Sequence, residues 1–240
     1  MKATHLTANP ILTALVVITV SLWPFHARGQ DAADPASQQI QVKKGDRIIF
    51  FGDSLTALAI KDPKVPDGKG YVPVVRAALK DRAVEVDAVA TGGHKVTDLL
   101  QRVDQDVLGR KPTIVVIQIG VNDASAGVTP ELFKAQLEEL IGKLQQGGAR
   151  VIQCTCTCRI EGYHPENPMD KKLDAMAEVA RAIAREKRLP LVDLRQAFID
   201  YWKASNPENK PKGFLTYDGN HWTETGHQYV AEQMLKKFKW

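Results

Sequence analysis

At 240 residues, with 44% hydrophobic and 25% charged side chains, the chain has the composition of an ordinary globular protein and the length of one generous domain. Its formal net charge of +4 comes from lysines and arginines interspersed with acids along predicted helical faces, without the basic stripe that a nucleic-acid partner requires. Cys154, Cys156 and Cys158 are its only cysteines, so nothing resembles a disulfide framework and the fold must rest on a hydrophobic core, which a chain of this length can bury.

The first predicted element is a leader. "MKATHLTANP" carries one lysine, "ILTALVVITVSLW" is uncharged and apolar, and "PFHARG" places the small residues Ala27 and Gly29 at cleavage-compatible spacing. Residues 1–29 are read as a cleaved secretory signal, which implies a secreted or periplasmic protein. The apolar run falls short of the roughly 20 residues of a spanning helix, and no cysteine follows it to carry a lipid, so no stable membrane anchor is expected. Removing this segment takes away Lys2 and Arg28 and lowers the net charge to +2.

A polar extension over 30–45 leads into a single domain over 46–240. Within it, continuously apolar runs alternate with amphipathic ones. Strands are predicted at 47–51, 84–90, 113–120, 149–157 and 190–194, and helices at 71–81, 95–108, 130–146, 170–188 and 223–238. Strands apolar on both faces, separated by helices, imply a mostly parallel sheet of about five strands in a three-layer α/β/α sandwich. In "VIQCTCTCRI" the cysteines alternate with Thr155 and Thr157. A strand would set all three thiols on one face, too far apart for an unstrained disulfide, as buried strand residues.

Ligands of open parallel sheets bind beyond the carboxyl ends of the strands. Three unusual polar turns fall there: Gly52-Asp53-Ser54, Thr91-Gly92-Gly93-His94 and Gly120-Val121-Asn122-Asp123. Serine becomes a nucleophile when a histidine, oriented by a carboxylate, takes its proton. "LTYDGNHWTETGH" offers Asp218 and His221 three residues apart. An oxyanion formed on acyl attack needs donors aimed at it beforehand, and the N–H of Ser54, a glycine N–H of "TGGHK" and the Asn122 amide are available.

The ordered blocks "GDSLT", "TGGHKVTDLL", "IGVND" and "DGNH" resemble those of the SGNH hydrolases, the GDSL lipase/esterase family, from about Asp46 onward. The resemblance implies a flavodoxin-like SGNH hydrolase fold, with Ser54 as nucleophile, His221 as base and Asp218 as its orienting acid. It also implies an oxyanion hole of Ser54, Gly93 and Asn122, with Gly92 as the alternative to Gly93. That family often has serine before this glycine and asparagine or aspartate after it, where this chain has Gly92 and His94. His94, Tyr163 and His164 are candidate substrate-binding residues. No metal-ligand cluster such as H-E-x-x-H is evident, so no metal or other cofactor is expected, and the absence of G-x-S-x-G separates this serine from the α/β-hydrolase elbow.

The expected function is hydrolysis of carboxylic esters through an acyl-enzyme. Short polar loops such as "ALAIKDPKVPDGKG" and "ASAGVTP" point to a shallow site for short acyl groups, acetyl above all, on small-molecule or glycan alcohols. Lysophospholipids, simple esters and thioesters are the alternative substrates of the same mechanism. A non-catalytic glycan-binding module on the same fold is the alternative of another class.

Overall fold

The computed structural model describes residue 1 and residues 34–240, so the leader predicted over 1–29 lies, its first residue apart, outside the described residues. In chain order the elements begin with β1 (Ile40–Gln41), β2 (Arg47–Gly52), α1 (Ser54–Leu58), α2 (Tyr71–Ala78), β3 (Glu85–Ala90) and α3 (Val96–Arg102). They continue with β4 (Ile114–Gln118), α4 (Val121–Ala126), α5 (Pro130–Gln146), β5 (Arg150–Cys154) and α6 (Pro168–Lys187). The last are β6 (Leu191–Val192), α7 (Leu194–Ser205), α8 (Glu224–Leu235) and β7 (Phe238–Lys239).

The central sheet has the order β3-β2-β4-β5-β6, and every pairing in it is parallel. Its middle strands are apolar throughout because both faces are covered: Ile48 to Phe51 of β2 and Ile114 to Ile117 of β4 are fully buried. Each such side chain contributes about 1.5–3 kcal/mol relative to exposure. Helices α2 and α8 pack on each other, and α3, α5 and α6 form a second packed series, the division between two faces that right-handed crossovers of this strand order require. Local chemistry sets the helix starts. Thr129 and Asn167 cap α5 and α6 by accepting from the N–H of Leu132 and Met169, each followed by a proline in the first turn, where its missing N–H costs nothing.

The topology fixes where a ligand can sit. From β2 the chain turns to β3 on one side, then crosses back to β4 on the other, which makes the crevice between β2 and β4 the switch point. Gly52 is level with both Ala90 and Gln118, so the turns after β2, β3 and β4 open onto one rim.

Several predicted elements are corrected. The strand expected over 149–157 ends at Cys154, because its outer partner β6 is only two residues long. The thiols therefore do not share a face: Cys154 Sγ lies 3.9 Å from Met234 Sδ of α8, whereas Cys156 Sγ lies 3.3 Å from the Leu173 carbonyl of α6. All three are free and buried, and burial pushes each thiol up, that of Cys156 to about 12. The helix over 95–108 is regular only to Arg102 and continues as a wider turn through Val107. Helix α7 was not anticipated. The last helix, expected over 223–238, ends at Leu235, and Phe238 opens β7, which pairs in parallel with β1 from the polar stretch before the domain.

Candidate active site

Strand β2 ends at Gly52, and Asp53 caps the short helix α1 by accepting from the Leu55 N–H at 3.0 Å. The turn sets Ser54 at the first position of α1, where a backbone N–H has no helical acceptor. Asp53 is buried, and burial pushes its carboxyl up to about 7, against the Leu55 N–H that favours the ionised form.

The loop before α8 supplies the partner. It is closed by a bridge between Thr216 and Trp222 and by the Tyr217 N–H donating to the His221 carbonyl. Inside it, Asp218 Oδ1 accepts from the N–H groups of His221 and Asn220 at 2.7 and 2.9 Å. Its Oδ2 lies 2.7 Å from His221 Nδ1, and His221 Nε2 lies 3.2 Å from Ser54 Oγ. Because a carboxylate only accepts, this network assigns the proton to Nδ1 and leaves Nε2 to accept from the serine. Burial acts to raise the Asp218 carboxyl, but the hydrogen bonds from the His221 ring and the two N–H groups outweigh it and hold it at about 2. The Asn220 amide nitrogen lies 3.2 Å from the same Nε2, so it competes with the hydroxyl for that lone pair. The loop can make these contacts because Gly219 adopts φ +97°, and a Cβ there would stand 2.8 Å from the Arg159 carbonyl oxygen.

The second and third turns face this pair. Gly93 has φ +79°, which glycine adopts without strain, and its N–H, like that of Ser54, has no acceptor among the described residues. A Cβ on Gly92 would lie 3.8 Å from Ser54 Cβ, which sets this turn beside the serine's, whereas a Cβ on Gly93 would meet nothing within 4 Å. Asn122, in the first turn of α4, donates to the His94 carbonyl at 3.0 Å and, more weakly, to Asp53 Oδ2 at 3.5 Å. Its Oδ1 accepts from Arg159 Nη2 at 3.1 Å.

The other candidates divide. His94 borders the rim through its carbonyl, and its Nδ1 is buried without a partner among the described residues. Tyr163 and His164 sit near the start of α6. The Tyr163 hydroxyl donates to Asp174 at 3.4 Å, the His164 N–H donates to Asp170 at 3.3 Å, and no hydrogen bond joins either side chain to the serine or its partners. Sequence reasoning missed Arg159, Asn220 and Tyr217. The Tyr217 ring stacks on His221 with centroids 6.0 Å apart, Lys64 lies 4.2 Å from its centre, and its hydroxyl donates to Asp62 at 3.1 Å. Its position next to Asp218 was the available signal. Among the described residues, no group of three or more His, Cys, Asp or Glu is placed to hold a metal ion.

A hydroxyl, an imidazole and a carboxylate in one hydrogen-bonded line, facing free N–H donors, can carry out acyl transfer. A family model described as the GDSL-like Lipase/Acylhydrolase family matches residues 50–229. An acetylxylan esterase of Geobacillus stearothermophilus is 27% identical over 222 residues, which cover 84% of this chain and 98% of that one. The lipoprotein YqeF of Bacillus subtilis is 26% identical over 210 residues, covering 77% and 86%. Among solved structures, that of the acetyl xylan esterase AlAXEase superposes with a TM-score of 0.73 at 31% identity, covering 79% of this chain and 98% of its own.

Proposed function

The chain belongs to the GDSL-like lipase/acylhydrolase family and hydrolyses esters, and we propose that its substrates are acetyl or other short acyl esters of polar alcohols, carbohydrates foremost. Ser54 Oγ attacks the acyl carbon while His221 Nε2 takes its proton. Asp218 keeps the other ring nitrogen protonated and the ring in plane. The carbonyl electrons move onto the oxygen, which the N–H groups of Ser54 and Gly93 and the Asn122 amide receive. When the tetrahedral intermediate collapses, His221 gives the proton to the leaving alcohol. Water, activated by the same imidazole, then releases the acid and restores the serine.

The observation that carries this reading is the unbroken line from Asp218 through His221 to Ser54, with contacts of 2.7 and 3.2 Å. What favours a short acyl group is the position of that line near the surface: the side chains of His221 and Asp218 are 26% and 44% exposed. The flanking groups are polar, Lys64 and Asp62 around Tyr217, and the acetylxylan esterases of matching length support a sugar as the alcohol.

Rapid labelling of Ser54 by an organophosphonate is expected of an activated serine, and an unreactive Ser54 would leave only a binding module. A p-nitrophenyl ester series from acetate to palmitate tests the acyl preference. Each buried methylene is worth about 0.8 kcal/mol, so kcat/KM that rises out to eight or more carbons would replace this reading with a lysophospholipase one. We propose export from the leader-like residues 1–29, and sequencing the N-terminus of the mature protein tests it. Among the described residues no helix is long and apolar enough to cross a membrane.

A further inference from the structure

We propose that Arg159 is a positioning residue that fixes the Asn122 amide with its N–H edge toward the oxyanion, and so ties the oxyanion donors to the loop that carries the base. The proposal rests on the oxyanion role given to Asn122 above.

The two ends of an asparagine amide are nearly equal in size, so its orientation is chosen by its partners. Asn122 has partners of opposite kind. The His94 carbonyl, which can only accept, takes the nitrogen end at 3.0 Å, and the Arg159 guanidinium, which can only donate, takes the oxygen end at 3.1 Å. The guanidinium is itself anchored, because Arg159 Nε donates to Ser125 Oγ at 2.8 Å and that hydroxyl donates to the Val121 carbonyl at 2.8 Å. Both anchor points lie on α4, the helix that carries Asn122. A cation on the oxygen end also polarises the amide, which strengthens its N–H groups as donors toward a developing negative charge.

The backbone of the same residue reaches the other half of the site. The Arg159 carbonyl oxygen packs against Gly219, as the 2.8 Å approach of a Cβ there records, and Cys158 Sγ donates to the Gly219 carbonyl at 3.3 Å. Two residues on, the buried Glu161 carboxylate accepts the N–H groups of Phe214, at 2.9 Å, and of Thr216. The segment 158–161 therefore holds the base-bearing loop through its backbone and Glu161, and holds the oxyanion amide through one guanidinium.

The test is a double-mutant cycle of Arg159→Ala with Asn122→Ala on a p-nitrophenyl acetate assay, with Tm measured for each variant. Arg159→Ala is expected to lower kcat about 10- to 100-fold, the range of a hydrogen bond to a charged group, with KM within about twofold. In the Asn122→Ala background the same change should cost less than about twofold, because there is no amide left to orient. Added guanidinium should restore part of kcat to Arg159→Ala and none to the double variant. Ser125→Ala, which removes only the Nε anchor, should show the same dependence on Asn122 with a smaller loss, and it carries the test if Arg159→Ala proves unstable. A wild-type kcat in Arg159→Ala and Ser125→Ala, or a loss undiminished in the Asn122→Ala background, overturns the proposal. A wild-type kcat in Asn122→Ala alone would overturn the oxyanion reading instead.

Discussion

The two ends of the central sheet treat polar groups in opposite ways. At the end where the strands begin, charges are paired off. Asp46 is buried and accepts from the Lys43 N–H, from Thr113 Oγ1 and from Arg150 on both carboxylate oxygens, at 2.7–2.9 Å. Arg47 pairs with Glu85 and with the Arg110 carbonyl, and Arg110 pairs with Asp87. At the end where the strands finish, the N–H groups of Ser54 and Gly93 have no acceptor, and both amide atoms of Gln118 and one oxygen of Asp123 are buried without partners, among the described residues. A buried polar group without a partner costs about 1–3 kcal/mol. The first end is closed chemically; the second keeps open valences, and a bound ester can use those that face the rim.

The comparison breaks most sharply at the triad. Ser54→Ala or His221→Ala should lower kcat by about 10⁴-fold or more, with the folded structure retained by circular dichroism. Wild-type turnover in Ser54→Ala would refute the nucleophile assignment. Asn122→Ala should cost about 10²–10³ in kcat, as for the loss of one oxyanion donor. At the other end, Asp46→Ala should leave kcat within about twofold yet lower unfolding stability by about 1.5–3 kcal/mol in a urea titration, since it strands Arg150 and Thr113.

Two smaller effects concern pH. Asp218, held at about 2, stays ionised above pH ~4, so above that pH the acid limb of kcat/KM should follow a single ionisation, that of the base. A rate flat from about pH 5 to 9, with chemistry limiting, removes histidine as the base. Asp53 acts on stability. Its folded carboxyl titrates at about 7 against 3.8 for the free group, so the folded state holds a proton that the unfolded state releases. That contribution is fully present below pH ~4 and is lost as the pH rises to about 7. Asp53→Asn, which retains a capping side chain, should gain stability relative to the parent across that interval, and an unchanged difference in urea midpoint between pH 4 and pH 7 would place the proton elsewhere.

What could be read from the sequence was local. The apolar runs of β2 and β4 and the polar turns after them are each set within a few residues, and a parallel sheet then brings those turns to one rim. The pairing inside the histidine loop is local too, because "DGNH" puts Asp218 and His221 three positions apart, within reach of each other. The illegible parts are pairings across long stretches of chain. Arg159 reaches Asn122 from 37 positions away, with no motif around it. The β1–β7 pair is two residues a side, too short for an alternating pattern. The cysteines failed for a related reason: their alternation implied a strand, but where the neighbouring strand ends is a property of residues 191 and 192.

The contact between His221 and Ser54 joins residues 167 positions apart, and that separation sets an order during biosynthesis. A ribosome adds about 5–20 residues per second, so Ser54 emerges roughly eight to thirty seconds before His221, and the turn that carries Asn122 roughly five to twenty seconds before it. Throughout that interval the nascent chain carries a hydroxyl no more reactive than any other serine, next to whatever esters surround it. On the proposed mechanism hydrolysis begins only when the loop before the last helix has reached the rim, so turnover of a chromogenic acetate by stalled and released chains would clock the closing step of folding.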